Sequence, residues 1–389
     1  MKSNLLGYKS TSFSPMEDAF RTMRSSGLDT EEQHLLFYTP VARVNPYQDL
    51  IYRSFPDAGF SVAPVLTPST INQLMNFPVA TKTKSIHLHW NSWMTQGSEN
   101  EAAARSRGLG AVGRVARLRD QGFNVIWSVH NVFPHDAEYV DVELEIQQKI
   151  SDVSTIIHTM STASLNDLKE YTSIDPEKIL VSPHPSYVGS YPNYISKTEA
   201  RSRLGIDGDE IVLVMFGAIK AYKGLLKSLD AFDQLRRMRP NSRFRLIVAG
   251  KADDSPESQE FVQRALSHPF VLIENQTIPN DRVQIYLNAA DLGLANYTRS
   301  LNSGAVLLYG SFGLPTVVAD TGTFRCELDP TSTIFVQGNS TEEFADSISE
   351  GVKLAASKEA SRSLKEWHQT LDSAIVSRKF ADDLIARLK

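Results

Sequence analysis

Two segments in the second half of the sequence carry residues that could hold a phosphate group. Lys220 and Lys223 follow an apolar, strand-like run, in the turn where a predicted helix begins. There they could supply fixed positive charge to a diphosphate without a metal ion. Residues 303–305 open a further helix, where Gly304 would let the backbone approach an anion and the helix dipole would attract it. The alternatives are a solvated loop for the lysines and an ordinary N-cap for Ser303.

Histidines stand at the ends of two predicted strands in the first half of the sequence. His130 directly follows the strand-like run 124–129, at the carboxyl end where parallel α/β sheets bind ligands. His87 and His89 alternate on one face of another strand. Such a pair is compatible with zinc, but no third ligand has matching spacing, and we predict no metal site. The alternatives are packing in the core and lining of a ligand site.

Short apolar runs alternate with helix-length segments almost throughout the chain. Runs such as His34–Thr39 and Ile211–Phe216 are rich in Val, Ile and Leu, as buried parallel strands are. The alternation predicts an α/β fold with parallel sheets. Long helical periodicity continues through 365–388.

A segment rich in proline, glycine and aromatic residues, 183–193, interrupts the alternation and is typical of a linker. We therefore predict two doubly wound, Rossmann-like domains with parallel sheets that face a central cleft. The first covers 1–190, with 1–32 as a peripheral arm. The second covers 191–370, and 371–389 is predicted to be a helix that crosses back to the first domain.

The composition is that of a globular protein and excludes several classes of site. The 389 residues carry a formal net charge of −5, which gives no reason to expect nucleic acid as a partner. The one cysteine, Cys326, permits no intramolecular disulfide and fits a reducing compartment. The amino-terminal residues lack the apolar run of a signal peptide, and no stretch is long enough to span a membrane. We expect a cytoplasmic protein.

Two segments resemble the donor domain of GT-B glycosyltransferases of family four. Residues 216–224, FGAIKAYKG, are similar to the turn that opens this domain. Residues 302–318, NSGAVLLYGSFGLPTVV, are similar to its donor-site helix, which ends in G-x-P-V-V. The resemblance covers roughly 205–320, and the first half matches more loosely at 45–47 and 129–135.

The resemblance implies a metal-independent transferase with no cofactor. It would move a sugar from a nucleotide-sugar donor to a saccharide or lipid-linked acceptor, in bacterial surface polysaccharide or glycolipid synthesis, and retention of configuration is favoured. Two alternatives stay open. One is a nucleotide-sugar 2-epimerase on the same fold, and the other is a non-catalytic GT-B protein that binds carbohydrate or a partner.

The resemblance also assigns roles to residues. The predicted catalytic residues are Lys220, Lys223, His130 and, as a base if the reaction inverts, Asp136. The predicted donor-binding residues are Asn45, Tyr47, Gly217, Thr277, Pro279, Ser303, Gly304 and Ala305. The predicted acceptor residues are His89, Trp90, Asn131 and His135. Plain alternatives are a helix start for Asn45 and Tyr47 and a histidine bonded to backbone for His130 and His135.

The sequence departs from the family at two positions. Family-four enzymes usually carry two glutamates around the donor helix, and their places fall on Ser300 and Leu308. These glutamates usually hold hydroxyls of the donor sugar and the ribose. Those contacts must therefore be made by other groups in this chain.

A cluster of arginines could bind an anionic lipid surface. The cluster consists of Arg105, Arg107, Arg114, Arg117 and Arg119. A basic helical surface of this kind would suit a peripheral protein at the inner face of the plasma membrane, where a lipid-linked acceptor lies. The alternative is an ordinary solvated helix face.

Two further motifs are predicted to be coincidental. The G-x-G-x-x-G of 108–113 follows a helix-like segment rather than a strand, which argues against NAD binding. The D-x-D of 207–209 lies before a strand, where it is typical of a turn.

Overall fold

The computed structural model describes residues 14–42, 44–131, 137–297, 301 and 303–388. The chain forms two compact units. The first comprises residues up to Pro185 and those from Ser373 onward, and the second is Ser186–Asp372. The sequence had suggested divisions after residues 190 and 370.

The first unit contains a six-stranded parallel sheet in the order β2-β1-β3-β4-β5-β6. The strands are β1 His34–Thr39, β2 Phe60–Pro64, β3 Thr83–Leu88, β4 Phe123–Ser128, β5 Ile156–Thr159 and β6 Ile179–Val181. The helices are α1 Pro15–Ser26, α2 Tyr47–Ile51, α3 Glu101–Asp120, α4 Val140–Val153, α5 Thr162–Lys169 and the carboxyl-terminal α14 Ser373–Ile385.

The strand order of this sheet decides where a ligand site belongs. The chain runs from β1 to β2 on one side and returns to β3 on the other, so the connections diverge between β1 and β3. Crevices outside the carboxyl ends of strands at such a switch point are the usual ligand sites of doubly wound sheets. In this unit those ends are Thr39 and Leu88.

The peripheral arm predicted for 1–32 is wrong for its described part. Helix α1 begins with Pro15 and ends before Gly27, which adopts φ +72° as the helix stops. Ala19 and Met23 are buried, and the ring of Phe20 stacks on Phe77. This segment is polar in composition but amphipathic, and its apolar side packs on the sheet.

The helical periodicity predicted over 365–388 is interrupted at 371–372, close to the predicted division after residue 370. Helix α13, Lys358–Thr370, belongs to the second unit, and α14 belongs to the first. Within the first unit, Ser377 ties α14 to α2. Its hydroxyl donates to the carbonyl of Ile51 at 2.8 Å and accepts from the backbone N–H of Ser54 at 2.8 Å.

The second unit contains another six-stranded parallel sheet, in the order β12-β11-β10-β7-β8-β9. The strands are β7 Ile211–Phe216, β8 Phe244–Ala249, β9 Val271–Glu274, β10 Leu292–Ala295, β11 Thr316–Ala319 and β12 Thr333–Val336. The helices besides α13 are α6 Lys197–Leu204, α7 Leu225–Met238, α8 Pro256–Ser267, α9 Val283–Ala289, α10 Gly304–Ser311, α11 Gly322–Glu327 and α12 Thr341–Ala355.

Both sheets confirm the predicted α/β class with two Rossmann-like domains. In the second sheet the connections diverge between β7 and β10, which gives the order of a dinucleotide-binding fold. Its core is apolar, and helices pack on the sheet there through the buried side chains of Phe232, Phe244, Phe261 and Phe344. In the part of the chain that the structure describes, no helix is long and apolar enough to cross a membrane.

Candidate functional site

The turn after β7 is built on glycines that allow close backbone contacts. Gly217 has φ +97°, and its N–H donates to the carbonyl of Ala249 at 2.9 Å. A Cβ atom on Gly250 would lie 2.1 Å from the carbonyl oxygen of Gly217, so no larger residue fits there without a shift. Gly224, with φ +59°, packs in the same way against the carbonyl of Asn296. The turn is thereby held against the end of β10, at the switch point.

Lys223 is a buried cation at this switch point. Its side chain is 8% exposed, and its Nζ lies over Gly217 and 5.5 Å from the centre of the Tyr297 ring. Burial, and then the charge of half-buried Lys220, lower its pKa to about 8. No carboxylate among the described residues pairs with it. A buried charge without a counter-ion is costly, and an anion that enters the turn would relieve this cost.

The start of α10 lies in the same unit, tied to the same strands. Ser303 is the N-cap, and its Oγ accepts a hydrogen bond from the N–H of Val306 at 3.3 Å. Gly304 lies beside the hydroxyl of Tyr187, 3.0 Å from where a Cβ would stand, and Ala305 is half-buried. The N-cap role is thus present, and it satisfies the N–H of Val306 in the first turn of the helix.

Tyr309 fixes this helix to the end of β7, a role that the sequence analysis did not assign. Its hydroxyl accepts from the N–H of Phe216 at 2.7 Å, and its ring lies where any side chain on Gly293 would have to go. The adjacent Leu308 is buried, at one of the places where the family has a glutamate. The other place, Ser300, lies outside the described residues, as does Asn302.

The remaining predicted donor residues of the second unit lie at its outer strands. Thr277 and Pro279 are exposed in the loop after β9, two strands from β7. They follow the carboxyl end of their strand and are accessible. Their predicted role toward a nucleotide base stays a prediction.

In the first unit, His130 is fixed on three sides. Its ring stacks on Trp90, with centroids 4.3 Å apart, and meets the ring of Tyr47 edge-on at 5.1 Å. Its Nε2 lies 3.2 Å from Nδ1 of His89. His130 is 7% exposed, while Trp90 and Asn131 are half-buried at the same edge of the sheet. The structure therefore places His130, Trp90 and Asn131 at one edge of the sheet, and their predicted roles toward a ligand stay predictions.

Two predicted contacts in this unit are contradicted by burial. The side chain of His89 is fully buried, and each of its ring nitrogens already has a hydrogen-bond partner. Tyr47 is 1% exposed, with its ring among His89, His130 and His184. Neither side chain is accessible to a ligand, and both contact the ring of His130. Asn45 is exposed and accepts from the N–H of Tyr47 at 3.0 Å, which is its alternative role at a helix start.

The buried histidines of this unit are neutral. Burial, and then the neighbouring histidines, hold the pKa values of His87, His89 and His130 well below the usual value. Burial lowers the pKa of His158 to about 4. No group of three or more His, Cys, Asp or Glu side chains within the described ranges is arranged to hold a metal ion.

The sequence analysis missed His158, Ser128 and Tyr52, which surround the predicted histidines. A signal was present, because Ser128 and His158 are register partners on adjacent parallel strands. Residues at alternate positions near the carboxyl ends of neighbouring strands share one face of a sheet. Two other predicted residues, His135 and Asp136, lie outside the described residues.

The arginine cluster on α3 is partly neutralised. Arg105 pairs with Glu101 and Glu145, and Arg119 pairs with Asp120. Arg107 donates to the carbonyls of Gln96 and Trp93. Burial, and then Arg117 and Arg107, lower the pKa of Arg114. Membrane docking by this cluster stays a prediction.

The two motifs that we interpreted as coincidental have structural roles. Gly108–Gly113 lies inside α3, where Gly108 makes room for the side chain of Ile146. Asp207 and Asp209 both pair with Arg243 at the amino end of β7. This is the edge of the sheet opposite the glycine-rich turn.

Comparison with known proteins agrees with this geometry. Residues 210–353 match the family described as "Glycosyl transferases group 1". A D-inositol 3-phosphate glycosyltransferase of Corynebacterium aurimucosum is 25% identical over 209 residues, which are 52% of this chain and 49% of that protein. The enzyme of the same name from Rhodococcus jostii is 24% identical over 249 residues, 60% of this chain and 54% of that protein. The matches thus span about half the length of these relatives.

Solved structures with similar folds cover most of the chain. Sucrose-phosphate synthase of Thermosynechococcus elongatus has a TM-score of 0.69 at 14% identity, over 91% of this chain and 100% of that one. Anabaena HepE in complex with UDP and glucose has a TM-score of 0.67 at 13% identity, with the same coverage. Identities this low show the fold alone. The chain therefore has the GT-B fold of these glycosyltransferases, and within it residues 210–353 match the model of the family "Glycosyl transferases group 1".

Proposed function

We propose that this protein is a glycosyltransferase that moves a sugar from a nucleotide-sugar donor to a saccharide or lipid-linked acceptor. The observation that carries the proposal is the buried Lys223 at the switch point of the second unit. It lies over a glycine turn inside the segment that matches the family, and no described carboxylate neutralises it. A diphosphate is an anion of suitable charge for such a position.

The proposed mechanism uses positive charge where negative charge develops. As the bond from the sugar to the diphosphate breaks, the leaving group gains charge, and groups fixed beside it stabilise the transition state. Lys223 and Lys220 would do this from the turn after β7. The amides at Ser303, Gly304 and Ala305 would add the positive end of a helix dipole. In this proposal the lysines supply the charge that a metal ion supplies in other transferases.

The donor is proposed to be a uridine diphosphate sugar. Structures of the fold neighbour HepE contain UDP, glucose and UDP-glucose. The base would lie beside the exposed loop that contains Thr277 and Pro279. Because Leu308 is buried and apolar where the family has a glutamate, hydroxyls of the sugar would be held by other groups, and His130 is the candidate from the first unit.

The finer features of the reaction are proposals as well. We favour retention of configuration and a role in bacterial surface polysaccharide or glycolipid synthesis. The two relatives named above act, by their names, on D-inositol 3-phosphate. This compound therefore belongs in the panel of acceptors to be tested, together with simple saccharides and polyprenyl-linked sugars.

A binding experiment with a matched control tests the donor site. Thermal shifts are measured with UDP, GDP, ADP and their sugar conjugates, without and then with a divalent metal. A bound ligand raises the melting temperature according to its concentration and Kd. We expect a shift with one nucleotide that is lost in Lys223→Met. It should survive in Lys353→Met, which changes an exposed lysine of α12, a helix whose end lines the opposite edge of the sheet.

The outcomes separate the proposal from its two rivals. Transfer to an acceptor by the nucleotide-bound protein supports the transferase. A changed sugar in the donor, formed without an acceptor, would identify a 2-epimerase. Nucleotide binding without turnover across the acceptor panel would identify a non-catalytic protein, and no shift with any nucleotide would refute the donor site itself.

A further inference from the structure

A continuous chain of hydrogen bonds crosses the sheet of the first unit and ends at His130. It lies on the face that α14 covers, where Phe380 contacts the rings of His87 and His158. The chain begins at the backbone carbonyl of Ser182, after β6. It then runs in order through His158, Ser128, His87, Tyr52, His89 and His130.

The first links of this chain fix the proton on His158. Its Nε2 lies 2.9 Å from the carbonyl oxygen of Ser182, which can only accept a hydrogen bond. Nε2 of His158 must therefore carry the proton, and Nδ1 of this neutral ring has a lone pair. The hydroxyl of Ser128, 2.6 Å from that Nδ1, must donate to it. The opposite arrangement would bring two lone pairs together.

The remaining links follow by the same rule. Because the one proton of the Ser128 hydroxyl is committed, Nε2 of His87, 2.8 Å away, must be the donor to it. Nδ1 of His87 is then an acceptor, and the hydroxyl of Tyr52 donates to it at 2.7 Å.

The last two rings are fixed in turn. The oxygen of Tyr52 accepts from Nε2 of His89 at 2.8 Å, since its own proton is committed to His87. Nδ1 of His89 accepts from Nε2 of His130 at 3.2 Å. All four histidines are therefore Nε2–H tautomers, and Nδ1 of His130 has no proton.

Burial keeps this arrangement in place. Tyr52, His87, His89, Ser128 and His158 are at most 1% exposed. Water therefore cannot substitute for a missing partner, and each reversed link would leave a buried polar group unsatisfied. The low pKa values of the rings keep each of them at a single proton.

We propose that Tyr52, His87, Ser128 and His158 are positioning residues, through which the carbonyl of Ser182 fixes His130 as its Nε2–H tautomer. Nδ1 of His130 is thereby a hydrogen-bond acceptor and not a proton donor. The significance for catalysis rests on the proposed function, in which His130 contacts the transferred sugar. The tautomer itself does not depend on that function.

Nitrogen-15 NMR of the full chain labelled at histidine tests the proposal directly. Ring nitrogens with and without a proton differ strongly in chemical shift, and single histidine variants assign the signals. In the ligand-free protein at neutral pH we expect the Nε2–H form for His87, His89, His130 and His158. An Nδ1–H or doubly protonated His130 would overturn the proposal. No nucleotide is present, so this result is independent of the donor site.

Variants then test whether the chain causes the tautomer. Tyr52→Phe removes only the central hydroxyl and should give His89 and His130 mixed tautomers. Ser128→Ala should do the same from the other end and serves if Tyr52→Phe does not fold. Ser85→Ala is the control. Ser85 lies on the same face of β3 as His87, and its buried hydroxyl has no described hydrogen-bond partner. Unchanged tautomers in both chain variants would refute the causal link.

Kinetics add a second measurement once transfer has been established. Tyr52→Phe should lower kcat about tenfold, with little change in KM for the nucleotide sugar, as expected when one hydrogen bond to a reacting group is misdirected. Ser85→Ala should retain the kcat of the unmodified protein. An unaltered kcat in Tyr52→Phe, with altered tautomers, would refute the positioning role while leaving the donor site intact.

Discussion

The carboxyl edges of the two sheets use opposite electrostatic designs. In the first unit, the polar groups behind His130 are neutral rings and hydroxyls that satisfy one another. In the second unit, Lys223 is a cation buried over a glycine turn, with no described carboxylate beside it. The hydrogen-bonded chain of the first edge needs no ligand, while an anion would stabilise the charge at the second edge. In the proposed function, the first edge would orient His130 and the second would bind an anion, although the two sheets share one architecture.

The two edges differ because their polar and charged groups come from different parts of the chain. In the first unit, they come mainly from strand residues at alternate positions, so the sheet itself sets their spacing. In the second unit, they come from the turn that follows β7, where Gly217 and Gly224 hold the backbone in conformations that other residues avoid. The first edge depends on side-chain partners and the second on backbone shape.

The largest expected effect is a loss of stability in acid that is greater in the first unit, with its several buried histidines, than in the second, where burial lowers the pKa of His368 to about 4. His158 and His184 have pKa values lowered to about 4 by burial, so the unfolded chain takes up protons first as the pH falls below about 6.5. Together they should lower the free energy of unfolding by roughly 4 kcal/mol between pH 7 and pH 5. His87, His89 and His130 add effects of the same sign.

Hydrogen exchange measures this loss in each unit separately. Amide protection in β3, β4 and β5 should fall much more than protection in β7 and β8 after correction for intrinsic rates. Equal losses in the two sheets would contradict the contrast between them.

Lys223→Met should change binding and stability in opposite directions. Loss of the buried charge should weaken nucleoside diphosphate binding about 100-fold, which titration calorimetry measures. Without a ligand, the same variant should raise the free energy of unfolding by about 1 kcal/mol, because a desolvated cation is replaced by an apolar side chain. Lys353→Met should alter neither quantity. A destabilised ligand-free Lys223→Met would show that the lysine is already compensated.

Tyr52→Phe, in contrast to Lys223→Met, should lower the free energy of unfolding. It leaves Nδ1 of His87 without a donor and Nε2 of His89 without an acceptor, so the free energy of unfolding should fall by about 2 kcal/mol. Urea denaturation measures the change. Ser85→Ala should be close to neutral because its hydroxyl has no described partner. A neutral Tyr52→Phe would mean that the chain contributes no stability.

The smallest expected effect is a change of nucleotide affinity with pH. The pKa of Lys223 is lowered to about 8, so above that pH the ligand-free protein loses the charge that binds the anion. The affinity for nucleoside diphosphate should therefore fall by up to tenfold for each pH unit above about 8. Titrations between pH 7 and pH 9.5 measure it. An affinity that does not change across this range would show that Lys223 keeps its proton. Burial would then have little effect on its pKa.

Much of the fold was predictable because buried parallel strands have a local signal. The runs His34–Thr39 and Ile211–Phe216 are strands with the predicted bounds. The short β12, Thr333–Val336, was missed, since four residues between polar neighbours give little periodicity. The break between α13 and α14 lies close to the predicted division after residue 370, although the helical periodicity continues through both helices.

For the candidate site, too, the sequence predicted the positions of residues along the elements better than their exposure. Ser303 and Gly304 lie at the start of α10, and Lys220 and Lys223 lie in the turn after β7, as their local patterns indicated. Tyr47 and His89 were assigned to ligands, but both are buried. Local patterns place a residue at the end of a strand, while its exposure depends on the helices that cover the sheet.

The sequence alone therefore determined the two α/β domains and the lysine turn, because both follow from patterns of residues that are adjacent in the sequence. The tertiary structure alone decided the burial of Lys223, which depends on Tyr297 as well as on the turn itself. It also decided the tautomer of His130. The hydrogen bonds that fix it join Tyr52, His87, Ser128, His158 and Ser182, which are far apart in the chain and meet only when neighbouring strands align their carboxyl ends.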